Sequence, residues 1–340
     1  MFLVGLFGLA ALGGAAYAMG DMFAPDTPEE DDHIDDSESD EITEGNLLDE
    51  GENIDTPTQI DIEEPGTGEI ISDHEGHLVI AGQDGDDVLT GQDGNDQVNG
   101  YGGDDLIDGG GGHDVLYGGE GMDEISGGAG NDMLHGDGGD DLLEGDGGDD
   151  ALYGHHGADL LIGGQGDDDL YGGQDDDLLL GGEGDDALQG GDGADQLAGG
   201  AGEDALFGGD GADILYGADD DDAATTDFLN GGAGDDTLFA EGPDILTGGA
   251  GADEFILSPS EDQPSATIMD FQVGQDKLLI PWEAQEDAQV SIETDAENQD
   301  LTRVLINGQD VAQLYRVEGL TVQDIQLVTE DHLAQFAATG

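Results

Sequence analysis

Gly163-Gly164-Gln165-Gly166-Asp167-Asp168-Asp169-Leu170-Tyr171 sets the pattern on which the middle of the chain is built. The blocks on either side have the same form, GHHGADLLI at 154–162 and GGQDDDLLL at 172–180. Moving outward, the nine-residue block recurs fifteen times without a gap from Gly82 to Tyr216. Glycine opens every block and stands fourth in fourteen of them, Asp175 being the exception. The sixth position is aspartate in all fifteen: Asp87, Asp96, Asp105, Asp114, Asp123, Asp132, Asp141, Asp150, Asp159, Asp168, Asp177, Asp186, Asp195, Asp204 and Asp213. The eighth is always Leu, Ile or Val. Four looser blocks follow, keeping Asp227, Asp236, Asp244 and Asp253 in phase through an insertion and a one-residue deletion. Before Gly82, Val79-Ile80-Ala81 already has the strand pattern, but Leu78 stands where aspartate belongs. That is the composition of a capping repeat.

The chemistry follows from the spacing. A three-residue strand with an apolar middle residue buries one aliphatic side chain per block, and six residues of glycine and aspartate must then turn the chain. Glycine permits positive φ and close approach of backbone carbonyls. Carboxylates and carbonyls together form an all-oxygen donor set, which suits the six to eight ligands of calcium better than the strict octahedron of magnesium. Zinc would call for His or Cys. Polar turns alone would not need aspartate at one position in every block.

The block resembles the RTX (hemolysin-type) calcium-binding repeat, G-G-x-G-x-D-x-U-x, which Gly163–Tyr171 matches at every defined position. The resemblance implies an all-β chain: a right-handed parallel β-roll with a small β-rich C-terminal cap. Successive blocks would lie on alternate sides, with multiple Ca2+ ions held between loops two blocks apart. Fifteen regular loops then imply thirteen such sites. The expected metal ligands are the fifteen sixth-position aspartates, joined by Asp236 and Asp253. These regular blocks hold 36 acidic residues and no basic one, so calcium is the expected counter-charge.

If alternate blocks share a sheet, the seventh and ninth positions face outward. Even blocks then stack Asn99, Tyr117, His135, Tyr153, Tyr171, Gln189 and Phe207, a mostly aromatic ladder. Odd blocks set out Val88, Leu106, Glu124, Leu142, Leu160, Leu178, Gln196 and Ile214 at the seventh position. So apolar a face usually marks a covered surface, the expected cover being the C-terminal cap or a second copy of the chain; stacking of like side chains that stabilises the strands is the other reading.

The remaining chain divides by composition. Residues 1–20 are apolar or small, and read as a cleaved signal or a single membrane anchor. Residues 21–75 belong to an acidic, proline-dotted stretch that reads as a disordered spacer. The roll is expected over 76–256 and the cap over 257–340, where strands are predicted at Thr267–Phe271, Lys277–Ile280, Val290–Glu293, Arg303–Ile306 and Val311–Tyr315. Thr321 is expected to cap a last helical turn.

Across 340 residues there are 85 acids and three bases, a net charge of −82, and no cysteine. Nucleic-acid binding lacks its basic footprint, and thiol catalysis and disulfides are excluded. No enzyme is expected. His74-Glu75-Gly76-His77 is one residue short of H-E-x-x-H, G-x-S-x-G is absent, and His113, His135, His155 and His156 read as solvated repeat positions. The family resemblance implies type I export to the extracellular space or cell surface, with tethering through residues 1–20 as the other reading. An adhesin using the aromatic ladder is the alternative function.

Overall fold

The structure is a computed structural model that describes residues 68–74, 76–217, 225–259, 264–282 and 288–329. The expectations for residues 1–20, and for most of the acidic spacer, lie outside the described residues. Among those described there are only strands and turns, in a 15-stranded and a 12-stranded sheet. Even blocks feed the larger sheet and odd blocks the smaller. The strand Leu160–Gln165 pairs in parallel with Leu178–Glu183, Leu160 opposite Leu178, an offset of eighteen residues. Ala151–His156 pairs in the same way with Asp169–Gln174. The parallel β-roll is therefore built two blocks to a turn.

The eighth-position residues of both sheets meet between them. Leu152, Leu161, Leu170 and Leu179 have no exposed surface, and one continuous core runs from Leu78 to Ile325. The stretched block is absorbed locally. Ala205 pairs with Phe228 across the insertion, and Phe228 pairs with Ile245 across the deletion, so Leu229 and Leu246 stay in the core.

Most strands span six residues rather than the expected three, for example Leu160–Gln165. Positions one to three of each block pair in register with the next loop on the same side, as in Gly164 opposite Gly182. The turn itself shrinks to three residues. Where the second position is Asp137, Asp146 or His155, the backbone still takes φ between 69° and 78°.

Both ends are closed differently. Glu69–His74 folds back antiparallel on His77–Ala81 and forms the first edge of the larger sheet. At the other end both sheets continue into the C-terminal region. Thr267–Ile268 pairs with Gln309–Tyr315, which begins an antiparallel meander through Leu301–Ile306 to Val290–Thr294. The smaller sheet adds Lys277–Pro281 and then Ile325–Val328. The strand at Thr267 is two residues long, shorter than predicted, because Asp270 leaves it to accept the N–H groups of Gly248 and Gly249. The helical turn is not formed. Thr321 and Asp324 instead bond to each other in a tight turn that leads into a strand.

Candidate metal centre

Each sixth-position aspartate lies at the junction of turn and strand, and every one from Asp87 to Asp213 is buried. From Asp105 to Asp213 its Oδ1 accepts the backbone N–H of the aspartate eighteen residues earlier: Asp150 N–H donates to Asp168 at 2.8 Å, and Asp168 N–H to Asp186 at 2.8 Å. Two such ladders run the length of the roll, one on each side. Leu78, at the capping position, donates its N–H to Asp96 at 2.7 Å, so it joins the ladder without supplying a carboxylate.

The second oxygen distinguishes the interior from the ends. From Asp105 to Asp195, and at Asp213, Asp236 and Asp253, Oδ2 is buried with no hydrogen-bond donor. At the ends the chain satisfies it locally. Gln83 N–H donates to Asp87 Oδ2 at 2.7 Å, Gln92 N–H to Asp96 at 2.9 Å, and Gln272 N–H to Asp276 at 2.6 Å. A buried carboxylate oxygen without a donor is costly, and a row of them calls for cations.

The surroundings fit a hard cation. A Cβ built on Gly145 would stand 2.6 Å from Asp150 Oδ2 and 2.6 Å from the carbonyl oxygen of Gly163. The first-position glycine therefore leaves a cradle bordered by a carboxylate and a carbonyl of the neighbouring turn. Among the described residues no three His, Asp or Glu side chains converge on one point. Backbone carbonyls must make up the set, giving oxygen donors only, as calcium prefers.

Burial without compensation shows in the protonation equilibria. Burial, with neighbouring aspartates adding to it, pushes Asp141, Asp150, Asp177, Asp186 and Asp236 up to about 7. Asp114, Asp123, Asp159, Asp168, Asp195 and Asp253 rise to about 6, again mainly through burial. A bound cation reverses this logic by favouring the charged form.

Adjacent aspartates have separate tasks. The fifth-position side chains stay exposed and form an outer ladder of opposite polarity: Asp185 N–H donates to Asp167 Oδ1 at 3.0 Å, and Glu203 N–H to Asp185 at 2.9 Å. The loop with Asp175 in place of glycine keeps its form, with φ +74 at that residue and Asp177 buried in line. The same environment reaches three aspartates outside the expected ligand set. Asp227, Asp244 and Asp276 are buried and accept N–H groups from Asp204, Asp227 and Asp253. Asp276 could have been found from Asp276-Lys277-Leu278, an aspartate two residues before a core leucine.

On the outer face of the larger sheet the aromatic ladder forms. Tyr117, His135, Tyr153 and Tyr171 stack with centroids 4.7, 4.8 and 5.0 Å apart. His135 is half-buried in this stack rather than solvated. On the smaller sheet Leu106 and Leu178 remain exposed, while Ile256, Leu279 and Val328 make a small buried cluster toward the C-terminal end.

A family model described as the RTX calcium-binding nonapeptide repeat in four copies matches residues 81–116, 117–152, 153–188, 189–224 and 223–255. Among solved structures the chain is similar to the extracellular lipase LipA from Serratia marcescens, at 16% identity and a TM-score of 0.19, over 76% of this chain and 41% of that one. The chain thus spans less than half the length of that lipase, and so loose a superposition says nothing of activity. No curated protein sequence matches the chain. With half its length in matched nonapeptides, the chain belongs to the RTX calcium-binding nonapeptide repeat family.

Proposed function

We propose that the chain is a secreted or cell-surface protein, without catalytic activity, whose roll folds on binding calcium between successive loops. The observation that carries this reading is the row of buried, donor-less Oδ2 atoms from Asp105 to Asp195. These aspartates, with Asp204, Asp213, Asp236 and Asp253, would hold the ions together with glycine carbonyls, and Asp227, Asp244 and Asp276 extend the same rows. Asp87 and Asp96, with both sheets starting beside them, would contribute least, because their own loops already satisfy Oδ2.

The energetics support coupling of folding to binding. One leucine per nine residues contributes about 2 kcal/mol of burial, while the ordered backbone is rich in glycine, the residue with most freedom to lose. Binding free energy then becomes folding free energy. Circular dichroism should show little β signal in chelator at neutral pH and a large gain in millimolar calcium. A spectrum equal in both conditions refutes the reading. An unfolded, like-charged chain also suits passage through a narrow export channel.

The stacked rings favour one further reading, a ligand-binding face scaffolded by calcium. Aromatic platforms offer flat apolar surface with polar edges. Tyr153→Ala with Tyr171→Ala should abolish binding on a glycan array while leaving the calcium-dependent spectrum intact; binding unchanged by the pair removes this reading.

A further inference from the structure

One cluster on the outer face of the larger sheet is not used by the calcium loops. His155 stands second in its block, where nine of the fifteen blocks have glycine, and its backbone takes φ +78. A non-glycine residue held in this region stores strain that persists only where the surroundings dictate it. The His155 ring lies beside those of His135, at 5.3 Å, and Tyr153, at 6.0 Å. Asp137 holds the same block position one neighbouring strand earlier, with φ +73. As a result His155 Nε2 lies 3.0 Å from His135 Nδ1 and 3.8 Å from Asp137 Oδ1. Glu120 and His156 line the same open depression.

We infer that His135 and His155, with Asp137 beside them, form a binding site for a borderline divalent transition metal, Cu2+ foremost, distinct from the calcium loops. Imidazole nitrogen suits copper, nickel and zinc, whereas carboxylates and carbonyls alone suit calcium. Two nitrogens bound side by side at about 2.0 Å from one ion stand roughly 3 Å apart, a spacing already present in the pair. The ring that donates in this pair carries its proton on its other nitrogen when the ion is bound, so that both facing lone pairs are free and each imidazole stays neutral. Asp137 and water complete the coordination. Two imidazole nitrogens with carboxylate and water oxygens match the tetragonal nitrogen–oxygen preference of Cu2+ better than the Cys and His set of a structural zinc site.

The test uses the full chain in millimolar calcium, titrated with Cu2+ by calorimetry and followed by electron paramagnetic resonance. One tightly bound ion with coupling to two nitrogens is expected. His155→Gly restores the residue most blocks carry there, so it should keep the calcium-dependent circular dichroism and weaken Cu2+ binding roughly tenfold or more. His135→Gln should do the same. If His155→Gly disturbs the roll, His155→Asn gives the same comparison, since asparagine tolerates the left-handed region. Equal Cu2+ binding by wild type and these variants overturns the site. So does a nitrogen signal that disappears only when His113 or His156 is replaced.

Discussion

Acidification should fold the calcium-free chain. In chelator near pH 8 the β signal is expected to be small; lowered toward pH 5, it should rise severalfold. The sign follows from the raised carboxyl pKa values. A group whose folded-state value lies above its unfolded value of 3.8 contributes stability that is fully present below the unfolded value and is lost as pH rises through the folded one. For Asp141, Asp150, Asp177, Asp186 and Asp236 that loss is centred at about 7, and for Asp168 and its companions at about 6. Moving one carboxyl from 3.8 to about 6 corresponds to roughly 3 kcal/mol, and the effect recurs along both ladders. Acid also removes charge from a chain that carries −82, which weakens self-repulsion in the same direction. With calcium present the slope inverts, because the ligating carboxylates must be deprotonated. The calcium needed for half-folding should therefore rise as pH falls over the same range. Parallel pH responses with and without calcium, read by circular dichroism on protein that stays in solution, would contradict this account.

Replacing one fourth-position glycine should have opposite consequences at two places in the same motif. Gly166 lies in mid-roll with φ +121, and a Cβ there would overlap the carbonyl oxygen of Gly148 in the turn before it. No side-chain motion relieves a clash with backbone. Gly166→Val should abolish the calcium-induced transition of the turns around it, removing a large part of the total β gain. Gly85 occupies the same motif position in the first block, where no earlier turn lies against it; nothing stands within 4 Å of its Cβ, and its φ is ordinary. Gly85→Ala should leave the transition within a few tenths of a kcal/mol of wild type. Calcium titrations of the two variants by circular dichroism decide the matter, and equal behaviour would mean that turn-to-turn contact is not what requires glycine.

These contrasts mark how far the residues alone could be read. The nine-residue period carries the alternation of sheets, the eighteen-residue register and the burial of Leu161 and Leu170, because an apolar residue at a constant phase has only one interior to face. Six-residue strands were hidden, since glycine at positions one to three reads as turn until its backbone is seen paired with the next loop. The division of labour within Asp167-Asp168 was equally hidden: the two carboxylates are chemically identical, and only the pleat sends one inward. Asp276 escaped because seven residues of irregular chain, from Met269 to Gln275, separate it from Ile268. The His135–His155 contact was hidden because it joins a ninth-position residue to a second-position residue twenty places later, where most blocks have glycine and no side chain to make it.

The two-blocks-per-turn register gives the roll a parity. Adding or removing eighteen residues anywhere between Gly82 and Tyr216 lengthens or shortens the molecule by one storey and leaves both ends matched to their own sheets. Removing nine exchanges odd for even downstream of the cut. Every later member of the aromatic ladder would move to the leucine-bearing side, and the strands that continue each sheet past Glu254 would meet the wrong partner. The insertion near Gly217 and the deletion before Asp244 change loop length but not this parity. Length in such a molecule is thus free to vary only in steps of two.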